Sequence, residues 1–101
     1  IRVVFGLYAD KDVQTMVAGI GSMVHFWHLT QVNEDRALPA QELMMCLPTA
    51  DQAQAETSVS VQQALENAIR SSVGTDTIVV FGSFPVVGEA LEYLDRQSSA
   101  R

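Results

Sequence analysis

The chain has 101 residues, of which 48% are hydrophobic and 18% charged, a composition typical of one ordinary globular domain. Its net charge of −6 argues against nucleic acid or an anionic membrane as the main partner, because phosphate binding requires clustered Lys and Arg. The single cysteine, Cys46, excludes an internal disulfide and suits a reducing cytosol. The opening IRVVFG begins without Met inside a strand-like run, so we expect that sequence upstream is missing.

The first half of the chain predicts two strands and two helices. An apolar run stopped by Gly6 predicts a buried strand at residues 3–5. Helical spacing then places Val13, Met16, Val17 and Ile20 on one stripe. A second strand is predicted at residues 24–29, with His25, Trp27 and Leu29 on one face and Val24, Phe26 and His28 on the other. After a polar loop, a helical stripe recurs at Ala40, Leu43, Met44 and Leu47 and ends at Pro48.

The second half predicts a loop, a helix, a strand and a last helix. The segment TADQAQAETS is expected to be a loop with a short strand near its end. Ser60 and Gln63 form a capping-box pattern, followed by the helical face Val61, Ala64, Leu65, Ala68 and Ile69. Residues 77–81 predict a second fully apolar strand, stopped by Gly82. The final helix is predicted to begin near Pro85 and to carry Val87, Leu91 and Leu94.

This order of elements predicts an α/β fold over residues 1–101. Strands that alternate with helices and are apolar on both faces indicate a Rossmann-like, mostly parallel sheet with helices on both faces. The tetrapeptide VVFG occurs twice, at residues 3–6 and 79–82, each time closing a predicted strand. Because parallel strands end at the same edge, and open α/β sheets bind ligands there, we expect both copies to deliver loops to one ligand edge.

Two short segments at this edge carry candidate binding residues. Gly82 and Ser83 lie between a strand and a helix N-terminus, which suits a carboxylate or phosphate, although on physical grounds alone a plain turn with Ser83 as a local cap is the favoured interpretation. No G-K-[ST] follows, so this is not a Walker-type phosphate loop. Asp10 and Asp12 can orient a cation or an amine, or can favour the start of a helix. Lys11 between them would partly neutralise a metal site, so none is proposed.

The remaining polar candidates have simpler interpretations. His25 and His28 point to opposite faces of a strand, which argues against metal ligation, and we expect both to flank the sheet as ordinary polar residues. Cys46 is expected to be a small core residue, and Trp27 a packing residue. Arg36 could hold an anion from its loop, but a solvated surface Arg is the favoured interpretation. No Ser-His-Asp or Cys-His arrangement is supported, so the residues alone predict a domain that contributes loops to a site.

Taken in order, five segments resemble a known family. VVFGLYADKDV, HFWHL, RALPAQEL, VQQALENAI and DTIVVFGSF are together similar to the C-terminal domain of the folylpolyglutamate synthase/dihydrofolate synthase family, which is related to the Mur ligases. The resemblance covers nearly the whole chain. It implies a cytoplasmic, Mg²⁺-dependent enzyme, usually a monomer, in which ATP phosphorylates a folate or pteroate carboxylate and the amine of L-glutamate attacks the acyl phosphate. It also implies that the N-terminal domain holds the phosphate loop and metal ligands, while the C-terminal domain closes over the cleft.

The resemblance assigns roles to particular positions. Gly82 and Ser83 match the glycine-serine element at the interdomain cleft, near the incoming glutamate. Asp10, Lys11 and Asp12 match a DKD-like loop on the same side, and Arg36 matches a commonly basic position. Pro85 stands where the family often has a His, so the role of that His is not carried over. A strand and helix that open the family's domain are expected to lie before Ile1. Because the phosphate loop and metal ligands belong to the N-terminal domain, the resemblance implies that this fragment is inactive by itself.

Two alternative functions remain open from the sequence. One is a non-catalytic α/β binding or interaction domain, for example a phospho-acceptor receiver. A receiver requires an acceptor Asp at the end of a middle strand and a Lys at the end of a late one, and here these strands run into HLTQ and Gly82-Ser83. The other alternative is a different Mur-type amide ligase.

Overall fold

The computed structural model describes residues 1–8, 12–31, 37–82 and 84–99. In chain order the elements are β1 (Arg2–Gly6), α1 (Val13–Ile20), a 3₁₀ turn (Gly21–Met23), β2 (Phe26–Leu29), α2 (Ala40–Cys46), α3 (Thr49–Gln52), β3 (Ala55–Thr57), α4 (Val61–Ser71), β4 (Ile78–Gly82) and α5 (Phe84–Ser99). The short strand expected in the TADQAQAETS segment is therefore present as β3. A short helix, α3, precedes it and was not predicted.

The described strands form one sheet in the order β3-β2-β1-β4, and every pair is parallel. Helices cover both faces, which confirms the predicted α/β class. One core lies under α1 and α2 and contains Val3, Phe5, Leu7, Val13, Val17, Trp27, Leu29, Leu43 and Leu47. The other lies under α4 and α5 and contains Val4, Val61, Ala64, Leu65, Ala68, Val86, Ala90 and Tyr93. Because β1 is apolar on both faces, it is suited to the position between β2 and β4.

Aromatic rings pack at the centre of the first core. The Phe5 ring lies 5.9 Å from the Trp27 ring and 5.3 Å from the Phe81 ring, between centroids. Trp27 is fully buried, as a packing role predicts, and Cys46 is half-buried at the border of this core. These contacts join the three neighbouring strands β2, β1 and β4 on one face.

The last helix carries Val87, Leu91 and Leu94 as predicted, but this apolar stripe is not the one that α5 buries. Leu91 and Leu94 are exposed, while Val86, Ala90 and Tyr93 face the core. Both sets follow helical spacing, so the period alone does not distinguish them. The end of α4 shows a smaller error of the same kind, since Ile69 is 47% exposed. In both helices the apolar residues outnumber those that the core covers, so the packing of the helix against its neighbours decides which stripe is buried.

The prediction that both histidines flank the sheet as ordinary polar residues is wrong for His28. Within β2, Trp27 and Leu29 face α1 and α2, whereas His28 pairs in register with Val4 and Glu56 on the opposite face. His28 is completely buried there. Residues 24 and 25 precede the strand, so the predicted alternation does not extend to them, and Val24 packs on the Trp27 side.

Candidate functional site

The two VVFG segments meet at the carboxyl edge of the sheet, as predicted. They pair in parallel and in register, so that Gly6 lies beside Gly82. A Cβ added to Gly82 would lie 2.0 Å from the Gly6 carbonyl oxygen, and Gly82 has a φ of +133°. Both facts require glycine, since the left-handed φ region and such close backbone approach exclude a side chain. The doubled glycine therefore lets the ends of β1 and β4 approach each other where α5 begins.

The end of β2 adds a polar residue to the same edge. Thr30 follows β2, and its N–H donates to the Phe5 carbonyl oxygen at 2.8 Å. A Cβ on Gly6 would lie 2.8 Å from the Thr30 carbonyl oxygen, so these backbones are also in close contact. Thr30 is completely buried, and its hydroxyl has no hydrogen-bond partner within the described residues. The edge therefore holds a buried polar group next to the paired glycines.

A small polar pocket of about 140 Å³ lies between the N-termini of α2 and α4 at this edge. It is lined by Gln31, Ala40, Gln41, Thr57, Ser58, Val59 and Gln63. The Gln31 Oε1 atom accepts from the Ala40 N–H at 2.7 Å, and Gln41 Nε2 donates to Thr57 Oγ1 at 3.1 Å. Glutamine and hydroxyl groups thus orient the beginning of α2 against the end of β3, and the lining residues are all uncharged.

The predicted cap of α4 is confirmed at the border of this pocket. Ser60 Oγ accepts from the Gln63 N–H at 3.1 Å, and Gln63 Oε1 accepts from the Val59 N–H at 3.2 Å. The Ser60 side chain therefore satisfies one free N–H group of the first helical turn, and the Gln63 side chain binds the N–H of the residue that precedes the cap. The same contacts hold the segment after β3 against the edge.

Two of the six predicted binding residues, Asp12 and Gly82, lie within the described part. Asp12 caps α1: its carboxylate accepts from Thr15 Oγ1 at 2.7 Å and from the Thr15 N–H at 3.2 Å. These hydrogen bonds hold the pKa of the Asp12 carboxyl below its usual value. The capping interpretation therefore accounts for Asp12 in this structure. Asp10, Lys11, Arg36 and Ser83 lie outside the described residues.

Sequence reasoning missed Thr30, Gln31 and Thr57 as residues of this edge. Thr30 and Gln31 directly follow β2, and Thr57 ends β3. Their position after a strand was the available signal, since polar residues at that point lie at the carboxyl edge. The signal was weak because β3 is only three residues long and half-buried.

The described residues supply no metal-binding cluster. Across ranges 1–8, 12–31, 37–82 and 84–99, no group of three or more His, Cys, Asp or Glu side chains could hold an ion. In the same ranges no helix combines the length and the apolarity required to cross a membrane.

An all-parallel sheet, helices on both faces and glycine-ended strands meeting at a polar carboxyl edge define a Rossmann-like α/β domain. No family model matches the chain. It is similar, however, to the C-terminal part of the dihydrofolate synthase/folylpolyglutamate synthase from Escherichia coli, with 28% identity over 99 residues, covering 98% of this chain and 22% of that protein. The Haemophilus influenzae protein of the same name is 30% identical over 87 residues, covering 85% of this chain and 20% of the relative.

Solved structures show the same similarity. The bifunctional folylpolyglutamate synthase/dihydrofolate synthase from Yersinia pestis, complexed with AMPPNP and a Mn ion, matches with a TM-score of 0.83 and 26% identity, covering 93% of this chain and 22% of that one. E. coli FolC in complex with ADP also has a TM-score of 0.83, with 28% identity over 98% of this chain and 23% of its own. The predicted resemblance and fold are thus confirmed. The chain spans about a fifth of the length of the curated relatives it matches.

Proposed function

We propose that this chain is the C-terminal part of a bifunctional dihydrofolate synthase/folylpolyglutamate synthase that ligates L-glutamate to dihydropteroate or folates with ATP. The supporting observation is similarity to such enzymes over 98% of the chain, together with a shared sheet. Because the chain spans about a fifth of those relatives, we expect it to be inactive without an N-terminal ligase domain. In this proposal the whole protein is a cytoplasmic monomer.

The carboxyl edge is proposed to form one wall of the glutamate and folate cleft. Gly82 lies at this edge beside Gly6, and Ser83 is the next residue along the chain. Asp10, Lys11, Asp12 and Arg36 belong to the segments that follow β1 and β2 along the chain, so the parallel sheet supports bringing them to the same side. Asp12 would contribute mainly by fixing the start of α1.

ATP and Mg²⁺ are proposed to be held by the N-terminal domain. The Yersinia pestis relative was solved with AMPPNP and a Mn ion, and the E. coli relative with ADP. The described residues of this chain offer no cluster of metal ligands, and the residues after β4 lack a Walker-type lysine. The present domain therefore fits a role in holding substrate and closing the cleft more closely than a role in holding the nucleotide phosphates.

The activity of a longer protein ending in this chain tests the proposal. It should consume ATP only when L-glutamate and dihydropteroate or a folate are present, and it should form the amide product. Replacing Ser83 by alanine in that protein should raise the KM for glutamate more than the KM for ATP. Ser71→Ala is the matched control, because Ser71 is exposed at the end of α4 and should leave both constants unchanged.

Three results would contradict parts of this proposal. Ligation of muropeptide substrates alone would replace the folate assignment with that of another Mur-type ligase, and binding without turnover would favour a non-catalytic domain. A Ser83→Ala variant with an unchanged KM for glutamate would remove Ser83 from the site and leave the ligase assignment in place.

We also propose that a further strand and helix of the longer protein cover the outer side of β4. Among the described residues no strand pairs with this side of β4, although the strand is apolar on both faces, which is typical of an interior strand. A groove of about 80 Å³ lies next to it, lined only by the apolar residues Ile1, Val3, Ile20, Met23, Val24, Val79 and Phe81. Val79 is 38% exposed and Met23 is 57% exposed.

Amide hydrogen exchange tests whether β4 has a neighbour. In the longer protein, alternate amides of residues 78–82 that face away from β1 should be protected, whereas in the 101-residue chain they should exchange rapidly. The amides of β1 serve as the control, since β1 is paired on both sides in this structure. Equal, fast exchange of the outer β4 amides in both proteins would contradict the proposal.

A further inference from the structure

A chain of polar contacts crosses three strands on the face covered by α4. His28 in β2 lies between Arg2 of β1 and Glu56 of β3. Its Nε2 atom is 3.3 Å from Arg2 Nη1, and its Nδ1 atom is 2.9 Å from Glu56 Oε1. The His28 side chain is fully buried, whereas that of Glu56 is 40% exposed. Both ring nitrogens of this buried imidazole are thus within hydrogen-bond distance of a charged side chain.

The two neighbours determine where the imidazole carries its proton. The Arg2 guanidinium can only donate hydrogen bonds, so His28 Nε2 must accept and must be unprotonated. In a neutral imidazole the proton then resides on Nδ1, which donates to the Glu56 carboxylate. A second proton on Nε2 would place two donors face to face, next to a fixed positive charge.

Other groups around the imidazole do not relieve this conflict. Arg2 is held from its far side by Asp76, with Arg2 Nε 3.2 Å from Asp76 Oδ2, and its guanidinium lies 5.2 Å from the Phe26 ring centroid. His25, 3.8 Å from Asp76, belongs to the same cluster. From α4, the buried residues Val61, Ala64, Leu65 and Ala68 supply no charge. Glu56 is therefore the one anion in the described structure that directly contacts the ring.

We propose that Arg2, His28 and Glu56 form an acid-sensitive lock, in which protonation of His28 Nε2 releases Arg2 and loosens the attachment of β1 to β2. The lock joins β1 to β2, the strand that Thr30 directly follows, so its opening weakens the support of the carboxyl edge. This role is independent of the ligase activity proposed above.

The direction of the pH dependence follows from the burial of the ring. Burial lowers the pKa of His28 below its ordinary value of 6.5; Glu56 opposes this effect, and the charges of Arg2 and His25 add to it. Well above pH 6.5 the ring is neutral in both the folded and the unfolded chain, and stability is at its full value. As the pH falls from 6.5 through the lower folded pKa, the unfolded chain binds the proton first and stability is lost. Asp12 and Asp76 have pKa values below 3.8, so their effects fall in a separate, more acidic range.

Nitrogen-15 NMR of the 101-residue chain and denaturant unfolding between pH 8 and pH 5 test the lock. At pH 8 the His28 ring should show a proton on Nδ1, and a proton on Nε2 would overturn the proposal. The unfolding equilibrium constant should rise below pH 6.5, by up to about tenfold per pH unit, the limit for one proton. His28→Gln should remove this rise and the matched variant His25→Gln should keep it; the reverse result would also overturn the proposal.

A second variant, Arg2→Gln, tests the lock even if His28→Gln does not fold. Arg2→Gln replaces a group that can only donate with an amide that can also accept from Nε2–H. The NMR titration midpoint of His28 should therefore move to higher pH in Arg2→Gln than in the unaltered chain. An unchanged midpoint would show that Arg2 does not oppose protonation, and the lock would be rejected.

Discussion

Gly82→Ala is expected to lower the free energy of unfolding by more than about 3 kcal/mol, or to prevent folding. The added Cβ would lie 2.0 Å from the Gly6 carbonyl oxygen, and alanine would be forced to a φ of +133°. The obstructing atom belongs to the backbone of the central strand, so a side-chain rotation cannot relieve the clash. A loss of this size is a large share of the total stability of a domain of this length. Denaturant unfolding followed by circular dichroism measures it.

Gly88→Ala is the matched control for this change. Gly88 lies within α5, and a Cβ added there would have nothing within 4 Å. The same substitution should therefore raise the free energy of unfolding by about 0.5–1 kcal/mol, since alanine is the better helix former. If the two variants had similar stability, the close pairing of the strand ends would be wrong.

Leu43→Ala is expected to lower the free energy of unfolding by about 2–5 kcal/mol. Leu43 lies in α2, is completely buried and packs in the core with Phe5 and Trp27. Removing its side chain leaves a cavity that rigid aromatic neighbours cannot fill, which adds to the lost burial. Thermal and denaturant unfolding of the variant measure the loss.

Leu91→Ala tests the corrected face of α5 with the same chemical change. Leu91 is 63% exposed in the structure, so this substitution should alter the free energy of unfolding by less than about 0.5 kcal/mol. If the stripe of Val87, Leu91 and Leu94 were the buried one, the substitution would instead lower the free energy of unfolding by several kcal/mol, at about the level expected for a core leucine. If Leu91→Ala lowered the free energy of unfolding as much as Leu43→Ala does, Leu91 would have to be buried, which would contradict the structure.

Most of the helix and strand positions could be predicted because they depend on local patterns. The glycine-stopped apolar runs predicted β1 and β4, and Ser60 with Gln63 predicted the start of α4. The meeting of the two VVFG ends was also predicted, since parallel strands share a carboxyl edge. The short elements α3 and β3 were harder to predict from the sequence, because a four-residue helix and a three-residue strand are too short to show a repeating spacing of apolar residues.

The candidate site could be predicted less well than the fold. Gly82 could be placed because a strand precedes it, and the structure adds that its backbone conformation excludes other residues. Thr30 and Gln31 carry no motif, and they join the edge only because β2 lies between β1 and β3. For Asp12, the sequence left capping and ligand binding equally open, and the hydrogen bonds to Thr15 show the cap.

The sequence by itself determined the class of the fold, the alternation of strands and helices, and the resemblance to the ligase family. These follow from periodicity, capping residues and ordered segments, all of which are properties of neighbours along the chain. Only the tertiary structure decided which stripe of α5 is buried, and that His28 is enclosed between Arg2 and Glu56. Those outcomes depend on which strands lie side by side, and the order β3-β2-β1-β4 pairs residues such as Gly6 and Gly82 that are 76 positions apart in the sequence.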